Sequence, residues 1–256
     1  MLPLRSLLLL VLVAACSTVK DPVQEARPLR VLAYNIKHGL GMDGKLDLER
    51  VAQLIQSFDP DIVTLQEVDN GCSRSGGVQQ AAWLAEACGM YSAFGAFMPY
   101  QGGEYGMAVL SRHPILDSHN LRLPDGSEPR TALGIRVATT QGELIVCGIH
   151  LYNTEIERMQ QATVLTDHFA EANCPVILAG DFNSEPGSVV MEYLVQNWTL
   201  IPKTGDPLTF PADVPDREID FCWVHHGTIV TDAFLRVIDE KVISDHRPLL
   251  LEIRLR

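Results

Sequence analysis

The chain of 256 residues is 46% hydrophobic and 20% charged, a balance that allows a sizeable core and excludes an intrinsically disordered polymer. Its 32 acidic residues against 20 basic ones give a formal net charge of −12, with no run of lysine or arginine to offset it. A general binder of long nucleic acid needs a cationic surface to displace phosphate counterions, so an extended nucleic-acid surface is excluded, and no Cys/His spacing fits a zinc site.

The first element along the chain is a leader. Residues 1–15 carry one positive charge at Arg5, an apolar block over 7–13 and the small residues Ala14 and Ala15. That is the pattern of a secretory signal, too short for a permanent membrane span. Val13-Ala14-Ala15-Cys16 resembles the bacterial lipobox, which implies lipidation of Cys16, export, and anchoring to a cell-envelope membrane on its periplasmic or extracellular face. Residues 16–27 then form a polar tether, and 28–256 a single domain, expected as a monomer. Removing the leader takes away only the Arg5 charge, so the mature protein is more acidic still.

Within that domain, apolar runs predict strands over 29–34, 61–66, 106–111, 132–138, 144–149, 176–179, 219–224 and 249–253. Several are apolar on successive residues, as expected of strands covered on both faces. Between them, Val51, Leu54, Ile55 and Phe58 make a helical stripe behind an Asp47 cap, and Thr154 with Glu157 forms the capping box of a second helix. Residues 78–88 and 187–196 supply two more helices. Strands mixed with helices over this length predict an α/β (α+β) sandwich, two packed mixed sheets with helices outside. Five cysteines remain besides Cys16, an odd number, so at least one has no partner within the chain. Cys147 and Cys174 lie in or beside apolar runs, where buried thiols are common, whereas Cys72 and Cys88 flank a predicted helix and could pair in an oxidising compartment.

Polar residues collect where the apolar runs end. The first run ends at Asn35, the second at Gln66-Glu67, and the fifth at His150; residues 176–179 lead into Gly180-Asp181-Phe182-Asn183, and Asp220 and Asp245-His246 follow. Singly, each is an ordinary turn residue or surface charge. Together they supply carboxylates able to hold a hard cation, an amide and two histidines, the parts that metal-assisted phosphate hydrolysis requires.

The order and wording of these segments resemble the endonuclease/exonuclease/phosphatase superfamily, the deoxyribonuclease I-like fold. The carriers are Tyr34-Asn35-Ile36, Leu65-Gln66-Glu67-Val68-Asp69, the run from Gly106 to Arg112, His150-Leu151, Gly180-Asp181-Phe182-Asn183, Ile219-Asp220-Phe221 and Ser244-Asp245-His246-Arg247-Pro248. The resemblance implies a four-layer α/β/β/α sandwich with one acidic cleft. It implies Glu67 as the principal ligand of Mg²⁺ or Mn²⁺, with Asn35 beside it and Asp245 as a second acidic group. Asp181 and Asn183 would orient the attacking water and the phosphate, and His246 would act on the scissile phosphate, paired with Asp220 and faced by His150. Arg130 resembles a family arginine that contacts the phosphate, and Arg74 is a second candidate on the loop after Glu67.

The expected activity is therefore hydrolysis of a phosphate ester, most naturally a small phosphodiester, a lipid headgroup or a short nucleotide. A secreted nuclease that scavenges nucleotides is the alternative, and a non-catalytic surface lipoprotein a third. The fold alone does not name a substrate. Ser184-Glu185-Pro186 after the aspartate motif and Arg217-Glu218 before Ile219-Asp220 depart from the phosphoinositide 5-phosphatase pattern.

Overall fold

A computed structural model of the protein describes residues 27–152 and 154–256. The leader, Cys16 and the tether as far as residue 26 lie outside the described residues. In chain order the elements are β1 (Leu29–Asn35), α1 (Leu48–Phe58), β2 (Ile62–Asn70), α2 (Gln80–Cys88), β3 (Tyr91–Tyr100), β4 (Gly103–Ser111), β5 (Ile115–Arg122) and β6 (Thr131–Thr139). There follow β7 (Gly142–His150), α3 (Glu155–Phe169), β8 (Val176–Asp181), α4 (Val189–Leu194), β9 (Trp198–Leu200), β10 (Asp220–His225), β11 (Val230–Val237) and β12 (Leu249–Leu255).

The strands form two six-stranded mixed sheets, one in the order β11-β12-β1-β2-β4-β3 and the other β5-β6-β7-β8-β10-β9. Both sheets follow one plan. A parallel pair at the centre, β1 with β2 and β7 with β8, is joined through a helix, α1 or α3, and every other neighbour is antiparallel.

Alternation along each strand decides which layer a side chain enters. On β1, Val31 and Ala33 face the other sheet and pack in a core with Met107, Val109, Ile135, Val146 and Ile177. Leu32 and Tyr34, one residue out of phase, meet Val51 and Ile55 of α1 and Leu84 of α2. The second sheet repeats this outward, with Ile149, Leu178 and Trp223 against Leu165 of α3 and Val190 and Leu194 of α4. The result is the expected four layers, helices, sheet, sheet, helices. Each fully buried Val, Leu or Ile contributes roughly 1.5–3 kcal/mol of transfer free energy, so three such clusters dominate the stability of the sandwich.

The local signals hold with one adjustment. The Asp47 carboxylate accepts from the Arg50 amide at 3.2 Å, which caps α1 as its sequence predicts. The Thr154–Glu157 pair starts α3 differently: the Thr154 side chain caps no backbone amide and instead donates to Glu157. Glu157 turns outward to accept from the Ser127 amide at 2.6 Å, tying the loop before β6 to the helix start. Cys72 and Cys88 are both free thiols, Cys72 donating to the Tyr100 and Glu104 carbonyls and Cys88 facing the Ala52 carbonyl, so they do not pair.

Candidate active site

The parallel pairing of β1 with β2 stops at Asn35 and Gln66, just before Glu67, and that of β7 with β8 stops at His150 and Asp181, both at one edge of the sandwich. Strands β10 and β12 run antiparallel to their neighbours, so the start of β10 (Asp220) and the segment before β12 (Asp245-His246) reach the same edge. Register makes this exact to the residue: Asp181 lies opposite His150 on one side and Asp220 on the other. Clefts beyond the carboxyl ends of parallel strands are where layered α/β folds bind ligands.

Asp181 is the hub. It is 1% exposed, and its Oδ2 lies 3.3 Å from Asn35 Nδ2, 3.5 Å from His150 Nε2 and 3.7 Å from His246 Nε2. Its Oδ1 accepts from the Asn183 amide at 2.8 Å. Burial is the largest influence on this carboxyl and, with the Asp220 charge adding to it and the His246 charge opposing, raises its pKa to about 7. His246 is buried too, which disfavours its charge, yet Asp220 and then Asp181 outweigh that and lift its pKa to about 10. Both oxygens of Asp220 lie on His246 Nδ1, at 3.0 and 3.2 Å, so Nδ1 donates there and Nε2–H is turned toward Asp181 and the cleft. The Phe210 ring packs on the imidazole at 4.9 Å between centroids. His150, with no partner on Nδ1 among the described residues, is driven the other way: burial first, then Arg130 and His246, hold it neutral.

Above this floor sit half-buried groups. Glu67 occupies a β-bulge where the β2/β4 register shifts between Leu65 and Val68, and its backbone is left-handed at φ +59°. A bulge re-aims a side chain that a regular strand would send into a sheet face. Here it delivers the carboxylate to Asn35 Nδ2 at 3.1 Å, and burial raises its pKa. Asn183, at φ +48°, donates its amide to the Leu151 carbonyl at 2.9 Å. Asp245 pairs with Lys37 Nζ at 2.8 Å. Non-glycine residues at positive φ cost of order 1–3 kcal/mol each and persist where the surroundings over-determine them, as at a functional site.

The predicted residues thus converge, with differences in what each does. Asn35 turns its NH₂ to Glu67 and Asp181, bridging the two carboxylates, and its oxygen accepts from the Lys37 amide at 3.1 Å. Arg130 is buried, its guanidinium lying between the Phe97 and Tyr152 rings at 4.9 and 5.2 Å and paired with Glu128. Its charge bears on both Glu67 and His150. Arg74 grips the fully buried Asp69 with two hydrogen bonds of 2.8 and 2.7 Å and lies over Tyr100 and Tyr105, which commits it to the wall of the loop.

Two donor sets are open to a cation. The ligand atoms of Asp181, Asp220 and His246 lie within 4.8 Å of one another and could hold a metal, at the cost of the proton His246 keeps between the acids. Glu67 and Asp245, at the mouth, are all oxygen, as a hard cation prefers. Two residues of the site escape sequence reasoning. Lys37 follows Asn35 by two positions, and a basic residue directly after Tyr34-Asn35-Ile36 is the signal that could have found it; Phe210 comes from a distant loop. Gln66, beside Glu67 in its motif, is fully buried with neither amide atom partnered among the described residues.

A model of the Endonuclease/Exonuclease/phosphatase family matches residues 32–246. The chain is 29% identical over 245 residues to the uncharacterized protein YbhP of Escherichia coli (strain K12), covering 88% of this chain and 96% of that one. Among solved structures, a functionally unknown conserved protein from Enterococcus faecalis V583 superimposes with a TM-score of 0.74 at 22% identity, over 89% of this chain and all of that one (100%). The mannosyl-6-phosphatase Bt3783 of Bacteroides thetaiotaomicron VPI-5482 gives 0.71 at 19% identity, over 88% and 99%. At these identities the structures show a shared fold.

Proposed function

Because the chain belongs to the Endonuclease/Exonuclease/phosphatase family, hydrolases of phosphate esters, we propose that it is a divalent-metal-dependent phosphodiesterase, exported and held on a membrane surface through lipidated Cys16. The observation that carries this reading is the buried Asp181 Oδ2, within 3.3–3.7 Å of Asn35, His150 and His246 where the strands of both sheets end.

Each residue has a role its surroundings suit. Asp181, with a pKa of about 7, accepts the proton of the attacking water near neutral pH. Asn183, fixed through its NH₂ to Leu151, keeps its amide oxygen to orient that water in line with the phosphorus. His246, cationic and locked in direction by Asp220 and Phe210, donates through Nε2–H to a phosphoryl oxygen. Neutral His150 donates from the opposite side, and Arg130, rigid between two rings, adds positive charge to the phosphate site. Glu67 would hold Mg²⁺ or Mn²⁺, with Asp245 as a second acidic group near it, and the ion would supply positive charge against the phosphoryl oxygens in the transition state.

A formal charge of −12 favours a small diester or a lipid headgroup over a nuclease reading with long substrates. Completeness of the constellation disfavours a non-catalytic binding lipoprotein. The test is release of nitrophenol from bis-nitrophenyl phosphate with Mg²⁺ or Mn²⁺, beside nitrophenyl phosphate, phospholipids and oligonucleotides. Chelator-sensitive turnover, greatest on a small diester, is expected. No hydrolysis of any phosphate ester with either metal would sink the proposal, and preference for the monoester would correct its substrate class.

A further inference from the structure

The carboxylates at the mouth of the cleft are not equivalent. Glu67 has one oxygen on Asn35 Nδ2 at 3.1 Å and no ion pair among the described residues. Asp245 is held by a charge: its Oδ2 accepts from Lys37 Nζ at 2.8 Å, while its Oδ1 lies 3.4 Å from Ser244 Oγ. Lys37 is placed by more than its side chain. It opens the tight turn Lys37–Gly39 directly after β1, at φ +46°, and His38 beside it is also at φ +46°. The turn is pinned at several points: the Lys37 amide donates to Asn35 Oδ1 at 3.1 Å, the Leu40 amide to the Lys37 carbonyl at 2.8 Å, and Gln80 Nε2 to the His38 carbonyl at 2.7 Å. Ser244 Oγ donates to the Asn35 carbonyl at 2.7 Å, which fixes the Asp245 backbone against the same strand end. Two left-handed non-glycine residues in succession are a cost that the turn sustains where it delivers the ammonium to Asp245.

We propose that Lys37 is a built-in counter-cation that reserves Asp245, so that the cleft takes a single divalent ion, on Glu67. This rests on the metal-dependent reading above. Paired acids without such a partner can hold two ions about 3.5–4 Å apart. A second ion on Asp245 would have to break a charge-assisted hydrogen bond and stand beside a fixed positive charge.

The test counts Mn²⁺ bound to the purified protein, from loss of the free-ion paramagnetic resonance signal, without reference to turnover. The wild type should bind one ion. Lys37→Met should admit a second ion or bind Mn²⁺ at least about tenfold more tightly, the effect of removing one unit charge a few ångströms from a divalent ion even in a water-like medium. Lys37→Gly, which suits the left-handed backbone, gives the same neutral test if the methionine variant does not fold, and Lys37→Arg should behave as wild type. Two ions on the wild type, or neutral variants with unchanged count and affinity, would overturn the inference while leaving a metal-dependent enzyme. No Mn²⁺ on any of these proteins would remove both readings.

Discussion

Asp181 owes its raised proton affinity to burial at the end of β8, and His246 owes its own to Asp220 and Asp181, so the two groups hold opposite charges over a wide interval above neutrality. A base that must be unprotonated and an acid that must be protonated give a bell-shaped profile. The kcat/KM of the wild type should rise as the pH passes about 7 and fall as it passes about 10. Asp220→Asn removes the carboxylate on Nδ1, and its alkaline limb should move down by about 1–3 pH units, the usual effect of one close opposite charge. An alkaline limb that stays in place in this variant would rule out His246 as the group responsible. Asp181→Asn keeps the size of the side chain and should cut turnover by roughly 10²–10⁴-fold with the fold intact by circular dichroism; near-native turnover would remove Asp181 from the proton transfer. The placement of both residues in one site was legible because aspartate and histidine at the ends of apolar runs are unusual in combination. Lys37 was not, since its placement depends on a turn with left-handed backbone, and Phe210 was not, since nothing local marks an aromatic that packs, tilted, against a histidine from a different loop.

At the level of strands, the eight runs predicted from apolar content correspond to β1, β2, β4, β6, β7, β8, β10 and β12, which occupy the interior of the two sheets. The four strands the sequence hid, β3, β5, β9 and β11, are the four sheet edges. Physics explains the division. An interior strand is covered on both faces and must be apolar at successive residues, whereas β5, with the sequence ILDSHNLR, is mostly exposed and keeps polar side chains that discourage edge-to-edge association. The site was readable because every element that carries it is interior. Its precision depends on backbone contacts that the interior strands make, and Gly180 shows this best. At φ +144° it lies beside Ile149, where an added Cβ would come within 2.2 Å of the Ile149 carbonyl oxygen and 2.6 Å of Gln66 Nε2. Gly180→Ala should therefore destabilise by at least about 2 kcal/mol, from overpacking and backbone strain together, read as a fall in the urea midpoint. Gly134→Ala on β6, whose new methyl would meet its nearest neighbour at 3.6 Å, is the control and should stay within about 1 kcal/mol of wild type. Equal midpoints for the two variants would mean that the close passage of β7 and Gln66 over Gly180 does not constrain the strand end.

For the molecule as a whole, charge and shape pull in different directions. The cleft collects Glu67, Asp181, Asp220 and Asp245 at one edge, and the chain carries −12 overall, so a phosphate substrate approaches against a negative field. Local cations answer it only at short range: His246, Arg130 and Lys37 lie at the site, and each is already paired with a carboxylate, of Asp220, Glu128 and Asp245 respectively. A small diester needs only that short-range compensation, because it carries a single phosphate. A duplex must lay many phosphates along the surrounding acidic surface, where each contact that fails to release a counterion contributes nothing to affinity. Turnover of a small diester should consequently vary by no more than about twofold between 50 and 200 mM salt, whereas a binder making 6–10 phosphate contacts loses roughly 10³–10⁵ in affinity over the same range. Duplex DNA should neither bind measurably at 150 mM salt nor compete with the diester. The measurement is a salt series of kcat/KM on bis-nitrophenyl phosphate run beside a duplex-binding titration. Strong duplex binding with a steep negative slope against log salt would show a cationic track that the composition conceals, and would move the substrate from small diesters to nucleic acid.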